Sequence, residues 1–384
     1  MSRCALAGAV IVFAIAAPSA LGDLYPGAPD PGGDPSQAVP APPSGGKVFG
    51  YHDERIVHFG QSAPALANAA ARAGANAFRF SINWHNVEPS RDSWDGRWWD
   101  RYTRIHNALV TRGVRPVLTL GGVPPWARTA AGRYCGVRRG CEYPPAHWAD
   151  GEWTEFVRAV VRRLPYTTAV EPWNEPNLRA FYKPAPNPER WAQIVRATHA
   201  GVQEANPGVT VLAGGLAPAV TRKYDLFGHL DIMPLREFLE RAYAAAPSIA
   251  GRMDGISFHL SPQSLDAGAG SLVAKAFEDA RSVRDRFGDF TLPLWLTESG
   301  FSTTGPSALS PDHQAEGLLS LYRRVMTMDD TRGLIVHTLV EDTSVPATDL
   351  RRGWGVTSSL DPLIPKPAYC AFAVLAAPEP PAGC

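Results

Sequence analysis

The hydrophobic pattern of this chain switches period again and again along its length. Short apolar runs rich in Val, Ile, Leu and Phe stand near residues 47–51, 77–82, 115–120, 169–173, 209–214, 254–259, 293–298 and 333–338. Between them lie amphipathic stretches of helical period, near 62–74, 98–112, 150–163, 188–205, 234–246, 271–287, 311–329 and 366–377. The first of these runs from Ser62 to Gly74 and the second stops at Gly113, which are helix start and stop signals. Strand and helix in alternation imply a parallel sheet with helices outside it. Eight such units is the number that closes an α/β barrel, the (β/α)8 or TIM barrel. The rival is a doubly wound open sheet, which needs fewer strands and typically a phosphate-binding glycine loop after the first strand. Phe49-Gly50-Tyr51-His52 is not such a loop. The expected fold is therefore a barrel over residues 47–384, with a C-terminal tail.

Residues ahead of the barrel read differently. Arg3 precedes an apolar stretch from about Ala5 to Ala17, and small residues Ala20 and Gly22 follow. This is the pattern of a signal peptide over 1–22, cleaved near Gly22. The alternative is an uncleaved anchor, but the run is shorter than the ~20 residues a spanning helix needs. The expectation is a secreted or extracytoplasmic protein with no transmembrane helix in the mature chain, acting as a monomer. Residues 23–46, rich in Pro, Gly, Ala and Ser, read as a flexible linker. Lys plus Arg (37) balances Asp plus Glu (37), which removes the electrostatic case for nucleic acid. Beyond Cys4, four cysteines remain, an even count that suits two bridges in an exported chain. Closeness in sequence favours Cys135–Cys141 and Cys370–Cys384, with free thiols as the alternative. Cys135 and Cys141 lack a second pair of zinc ligands. His52 and His259 are single residues without ligand spacing, so no metal and no other cofactor is expected.

In a barrel of this kind the chemistry sits on the loops at the carboxyl ends of the strands. Two of those ends carry glutamates: Glu171-Pro172-Trp173-Asn174-Glu175-Pro176-Asn177 and Leu294-Trp295-Leu296-Thr297-Glu298-Ser299-Gly300. Pro176 steers its predecessor toward extended backbone, which holds Glu175 beyond the strand end. Asn174 offers an amide that can bond a substrate hydroxyl. Glu298 follows four apolar or near-apolar residues and would be costly to bury unpaired. Arg79 stands among apolar neighbours on the second strand and requires a carboxylate partner if it is buried. The alternative is an outward-facing Arg on the strand. His259 ends the sixth strand, as a site residue or a packed one. Two carboxylates facing each other across a cleft are the minimal equipment for breaking a glycosidic bond.

These motifs resemble the signature of glycoside hydrolase clan A: Asn174-Glu175-Pro176 on the fourth strand and Thr297-Glu298-Ser299-Gly300 on the seventh. Arg79 and His259 match further family positions. Trp354-Gly355-Val356 followed by Lys366-Pro367-Ala368-Tyr369 is similar to the family's usual ending. The likeness covers roughly residues 47–376 and is closest to family 39 or to cellulase-like members of family 5. It implies a retaining glycosidase acting on an oligo- or polysaccharide. Glu175 would be the acid/base, Glu298 the nucleophile, and Asn174 the contact to the hydroxyl beside the anomeric carbon. Arg79 and His259 would orient the nucleophile.

The chain departs from that family in two places. Members often carry a Trp at the end of the eighth strand, where this chain reads Ile335-Val336-His337-Thr338. Many carry a Tyr just after the sixth, where Ser261 and Pro262 stand. The sugar platform is therefore sought elsewhere, with Trp84, Trp126, Trp173 and Trp354 as candidates. A non-catalytic carbohydrate-binding barrel is the rival function. It would keep the aromatics and need neither glutamate.

Overall fold

A computed structural model describes residues 46–58, 62–135, 141–245, 249–260, 271–376 and 383–384. The expected signal peptide and nearly all of the linker fall outside the described residues, as do Ser261 and Pro262. Eight parallel strands form one sheet: β1 (Val48–His52), β2 (Ala77–Asn83), β3 (Arg115–Gly121), β4 (Ala169–Pro172), β5 (Thr210–Val211), β6 (Ile256–Leu260), β7 (Leu294–Ser299) and β8 (Thr331–His337). Their order is β5-β4-β3-β2-β1-β8-β7-β6. Bridges Leu212–Gly255 and Leu216–Phe258 join the two ends, closing the ring. Eight helices surround it: α1 (Ala63–Arg72), α2 (Gly96–Val110), α3 (Asp150–Arg163), α4 (Pro188–Ala205), α5 (Leu235–Ala245), α6 (Leu272–Arg286), α7 (Pro311–Thr327) and α8 (Pro367–Ala376). The alternation expected from the sequence is the architecture found, a (β/α)8 barrel.

Local chemistry accounts for the element ends. The Ser62 hydroxyl caps α1 by accepting from Ala65 N, and Asp95 caps α2 by accepting from Arg97 N and Trp98 N. Helix α2 thus starts two residues before the apolar pattern that marks it. Strand β5 is much shorter than its apolar run, because Gly214 and Gly215 adopt positive φ of 69° and 45°. A Cβ on Gly214 would meet Pro172 O at 2.8 Å, and one on Gly215 would meet His259 Nε2 at 2.5 Å.

The floor of the barrel is a small apolar plug of Ala77, Val117, Ala169, Leu212, Trp295 and Ile335. Trp295 fills most of it, and its neighbours are glycines for that reason. A Cβ on Gly333 would meet the indole at 2.4 Å, and one on Gly255 would meet it at 2.9 Å. Outside the ring, a far larger cluster packs helices against strands, from Phe49 to Ala373. Cys135–Cys141 and Cys370–Cys384 are disulfide-bonded, as their closeness in sequence suggested. Among the described residues no helix is long and apolar enough to cross a membrane.

Candidate active site

Side chains alternate across a strand, so residues two positions beyond the plug point into the barrel mouth. Arg79 follows Ala77 in this way, Thr119 follows Val117, and Glu171 follows Ala169. Arg79 and Glu171 are almost fully buried and paired: Arg79 Nε donates to Glu171 Oε2 at 2.6 Å. The Thr119 hydroxyl donates to the same oxygen at 3.3 Å. The remaining arms of Arg79 reach Glu298 Oε1 at 2.5 Å and Asn174 Oδ1 at 3.0 Å. One guanidinium thus ties both glutamate strands together. It also takes the oxygen of the Asn174 amide and leaves the NH2 end to donate.

Glu298 owes its place to a β-bulge. Strict alternation after Trp295 would aim Thr297 inward and Glu298 out toward the helices. The β6–β7 register slips between Phe258–Leu296 and His259–Glu298, and the β8–β7 register slips at the same place. The extra residue turns Glu298 into the mouth. Gly300 follows because its α-carbon passes His337 O, where a Cβ would sit at 2.2 Å.

Glu175 is set differently. Its φ is 44°, in the left-handed region, so the extended backbone expected ahead of Pro176 is not what forms. Its N–H donates to Gly215 O at 3.1 Å, and His259 Nδ1 lies 2.9 Å from its Oε1. Those contacts override the preference imposed by the proline, at a conformational cost of about 1–3 kcal/mol. His259 Nδ1 also lies 3.8 Å from Glu298 Oε2. Both carboxylates therefore converge on one nitrogen, and each side chain is 18 % exposed, open to the mouth.

The electrostatics separate the ionisable groups. Burial by itself raises the Glu298 carboxyl, but His259, His52, Arg79 and His337 oppose it and hold Glu298 well below the usual carboxylate range. Glu171 is likewise raised by burial, and Arg79 and His259 bring it below its ordinary value. Burial lowers His259, while Glu298 and Glu175 outweigh that and raise it. His337 is driven down to about 3, chiefly by burial. It is neutral near pH 7, while Arg79 stays a cation beside Glu298.

Of the residues sought from sequence, the fold brings together Arg79, Asn174, Glu175, His259 and Glu298. The four tryptophans are scattered. Trp84 is fully buried between Trp126, Trp153 and Phe156, with its N–H on Glu88, and has no face to offer a sugar. Trp126 is half-buried against Trp84, its N–H on Glu88 O. Trp173 is 3 % exposed and donates to Phe181 O. It lines a cavity of about 110 Å3 beside Asn174, together with Ser81, Asn83, Glu142 and Phe181. Trp354 is half-buried and packs edge-on against His337 at 4.7 Å between ring centroids. A larger hollow, about 620 Å3, lies over Pro89, Trp94, Arg97 and Asp100 and includes neither glutamate. The small cavity also includes neither Glu175 nor Glu298, but it adjoins them through Asn174 and Thr119.

Three residues at the mouth were not singled out from sequence. Glu171 is the buried partner of Arg79, and its only sequence signal was that a buried Arg needs a carboxylate. His337 ends β8 where the family often carries Trp, and its ring stacks on His52 at 4.9 Å. His52, isolated in the sequence, thus lies against both His337 and Glu298, in a His–His–Glu group that the chain's spacing had argued against.

No family model matches this chain, and no curated protein sequence matches it. Solved structures do match. A family 39 glycoside hydrolase from Bacteroides cellulosilyticus WH2 superposes with a TM-score of 0.61 at 18% identity, over 85% of this chain and 63% of that one. A GH5_18 protein from Bifidobacterium longum subsp. longum gives 0.62 at 15% identity, over 86% and 78%. A monomeric beta-xylosidase from Caulobacter crescentus CB15 gives 0.58 at 18% identity, over 86% and 68%. The chain shares its fold with these clan A glycoside hydrolases. This chain spans a little under two thirds of the family 39 chain.

Proposed function

We propose that the protein is a retaining glycoside hydrolase that cleaves O-glycosidic bonds of an oligo- or polysaccharide. The observation that carries this reading is the convergence of Glu175 and Glu298 on His259 Nδ1, at 2.9 and 3.8 Å. Two oxygens this close to one nitrogen are no more than 6.7 Å apart, within reach of a single sugar ring. Glu298, ionised beside Arg79, is the nucleophile. It attacks the anomeric carbon while Glu175 gives its proton to the departing oxygen. A covalent glycosyl-enzyme results. Glu175 then takes a proton from water, which displaces Glu298 and restores both groups with the anomeric configuration kept. Asn174, its oxygen held by Arg79, donates to the hydroxyl beside the anomeric carbon. His337 and Trp354, rather than Trp84, form the wall beside Glu298.

GH5_18 neighbours were crystallised with Manβ1-4GlcNAc and with GlcNAc. β-Linked disaccharides are therefore the first substrates to test, followed by longer glycans. Two disulfides fit action outside the cytoplasm. Time-resolved NMR of hydrolysis should show the first product with its anomeric configuration retained, and an inverted first product would refute the mechanism. Glu298→Ala should lose at least about a thousandfold in turnover and regain part of it with azide, a small anion that can replace the nucleophile. Full activity in this variant would remove Glu298 from the role.

A further inference from the structure

Three side chains from three strands meet at the mouth in a way that two-carboxylate hydrolysis does not require. His52 Nδ1 lies 2.7 Å from His337 Nδ1 and 3.5 Å from Glu298 Oε1, and His337 Nδ1 lies 3.6 Å from Glu298 Oε2. Two Nδ1 atoms so close can hold only one proton between them, so one ring presents a lone pair. The other nitrogen of His52 lies 3.2 Å from Glu54 Oε1, and Ser81 donates to that same oxygen at 2.7 Å. A carboxylate there accepts a hydrogen bond from His52 Nε2–H, which leaves the lone pair of that ring on Nδ1. A carboxylate behind a histidine, fixing its tautomer, is the outer shell that metal-binding histidines usually have.

The spacing and the charge both suit a cation. Tetrahedral zinc, with bonds of about 2.0–2.2 Å, keeps its ligand atoms about 3.3 Å apart. One ligand atom from each of the three side chains lies within 4.8 Å of the others, so small rotations of the His337 ring and the Glu298 carboxylate bring both nitrogens and a single oxygen to that spacing. Glu54, Glu171 and Glu175 lie around the trio, against the Arg79 guanidinium as an opposing cation. Glu298 and His337 are each 18 % exposed, so a fourth coordination position opens to the mouth. Two imidazoles and one carboxylate are a ligand set for a borderline divalent ion such as Zn2+, not for Ca2+ or Mg2+.

We infer that His52, His337 and Glu298 form a binding site for a first-row divalent cation of the Zn2+ type, and that the ion reversibly blocks hydrolysis by occupying Glu298. The blocking half rests on the proposed function, and the binding half does not. Co2+ titrated into the full chain should give the intense visible absorption of a tetrahedral ion, and Zn2+ should displace it. His337→Phe keeps a ring against His52 but removes a ligand, and it should weaken Zn2+ binding at least about a hundredfold. His52→Ala should do the same, with thermal unfolding confirming that both variants are folded. Zn2+ should inhibit hydrolysis over the concentrations at which it displaces Co2+, and EDTA should restore it. No tetrahedral Co2+ spectrum in the wild type, or undiminished Zn2+ binding in both variants, overturns the site. Full hydrolysis with Zn2+ bound, or hydrolysis that EDTA abolishes, overturns the block. A protein that binds Co2+ yet hydrolyses nothing in either form upholds the site and counts against the glycosidase reading instead.

Discussion

Two layers of the same barrel, a few residues apart along the same strands, are built on opposite principles. The lower layer is Ala77, Val117, Ala169, Leu212, Trp295 and Ile335, an apolar plug with glycines cut around one indole. The upper layer is Arg79, Thr119, Glu171, His259, Glu298 and His337, held by charge and hydrogen bonds. Volume decides the lower layer, since any added atom meets a neighbour. Partners decide the upper one, since any removed charge leaves another buried alone. The plug gives the strands a fixed floor, and the charged layer above it can hold carboxylates ionised where water is scarce.

The contrast can be broken most sharply at Arg79. Arg79→Ala strips Glu171, 0 % exposed, of its cation, at an expected cost of about 3–5 kcal/mol. The sign with pH follows from the wild type, where Glu171 lies below its ordinary value. Its contribution is present above the unfolded-state value and is lost as pH falls through the folded one. In the variant, burial acts unopposed by Arg79 and raises Glu171, so the deficit should be largest near neutral pH and shrink toward acid. Denaturant titrations at several pH values measure this, and a deficit independent of pH would contradict it.

A smaller effect is expected below. Gly333→Ala puts a Cβ 2.4 Å from the Trp295 ring and should cost about 1–3 kcal/mol by overpacking. Activity per folded molecule should stay the same, and a large drop in it would mean that the two layers are not separable. An effect that grows with acidity is expected at His337, which burial holds neutral down to about 3 against 6.5 in the unfolded chain. Between those values the unfolded state binds the extra proton, so stability falls as pH falls, by up to about 1.4 kcal/mol per unit. His259, raised when folded, acts with the opposite sign, and its contribution is lost as pH rises through its folded value. Relative to His337→Phe, the wild type should thus lose stability on going from pH 6.5 toward 3, as read by denaturant midpoints. A constant difference would overturn the assignment of a buried neutral imidazole.

Much of the barrel was legible from sequence, because periodicity survives without knowledge of contacts. All eight strands and eight helices lie close to where the pattern changes. Strand-end position likewise brought out Arg79, Asn174, Glu175, His259 and Glu298. What stayed hidden depends on contacts distant in sequence or on local irregularity. The bulge that turns Glu298 inward leaves no mark in Leu294–Ser299, which reads as an ordinary strand. Glu171 looked like part of an apolar run until Arg79 was seen to reach it across 92 positions. His52 and His337 meet across 285 positions. Trp84 misled because a tryptophan after a strand end can face the mouth or the helices, and the short helix Trp84–Val87 turns it toward the helices.

The pairing of β1 with β8 has a consequence for synthesis. Val48 finds its partner Gly333 only after most of the polypeptide has left the ribosome. Until Thr331–His337 emerges, one flank of β1 carries bare amide and carbonyl groups, the kind of surface that invites a second nascent chain to add on. A fragment halted before Thr331 is therefore a sticky product with seven of the eight strands and an unclosed ring. Strand β8, added next, closes the ring between β1 and β7.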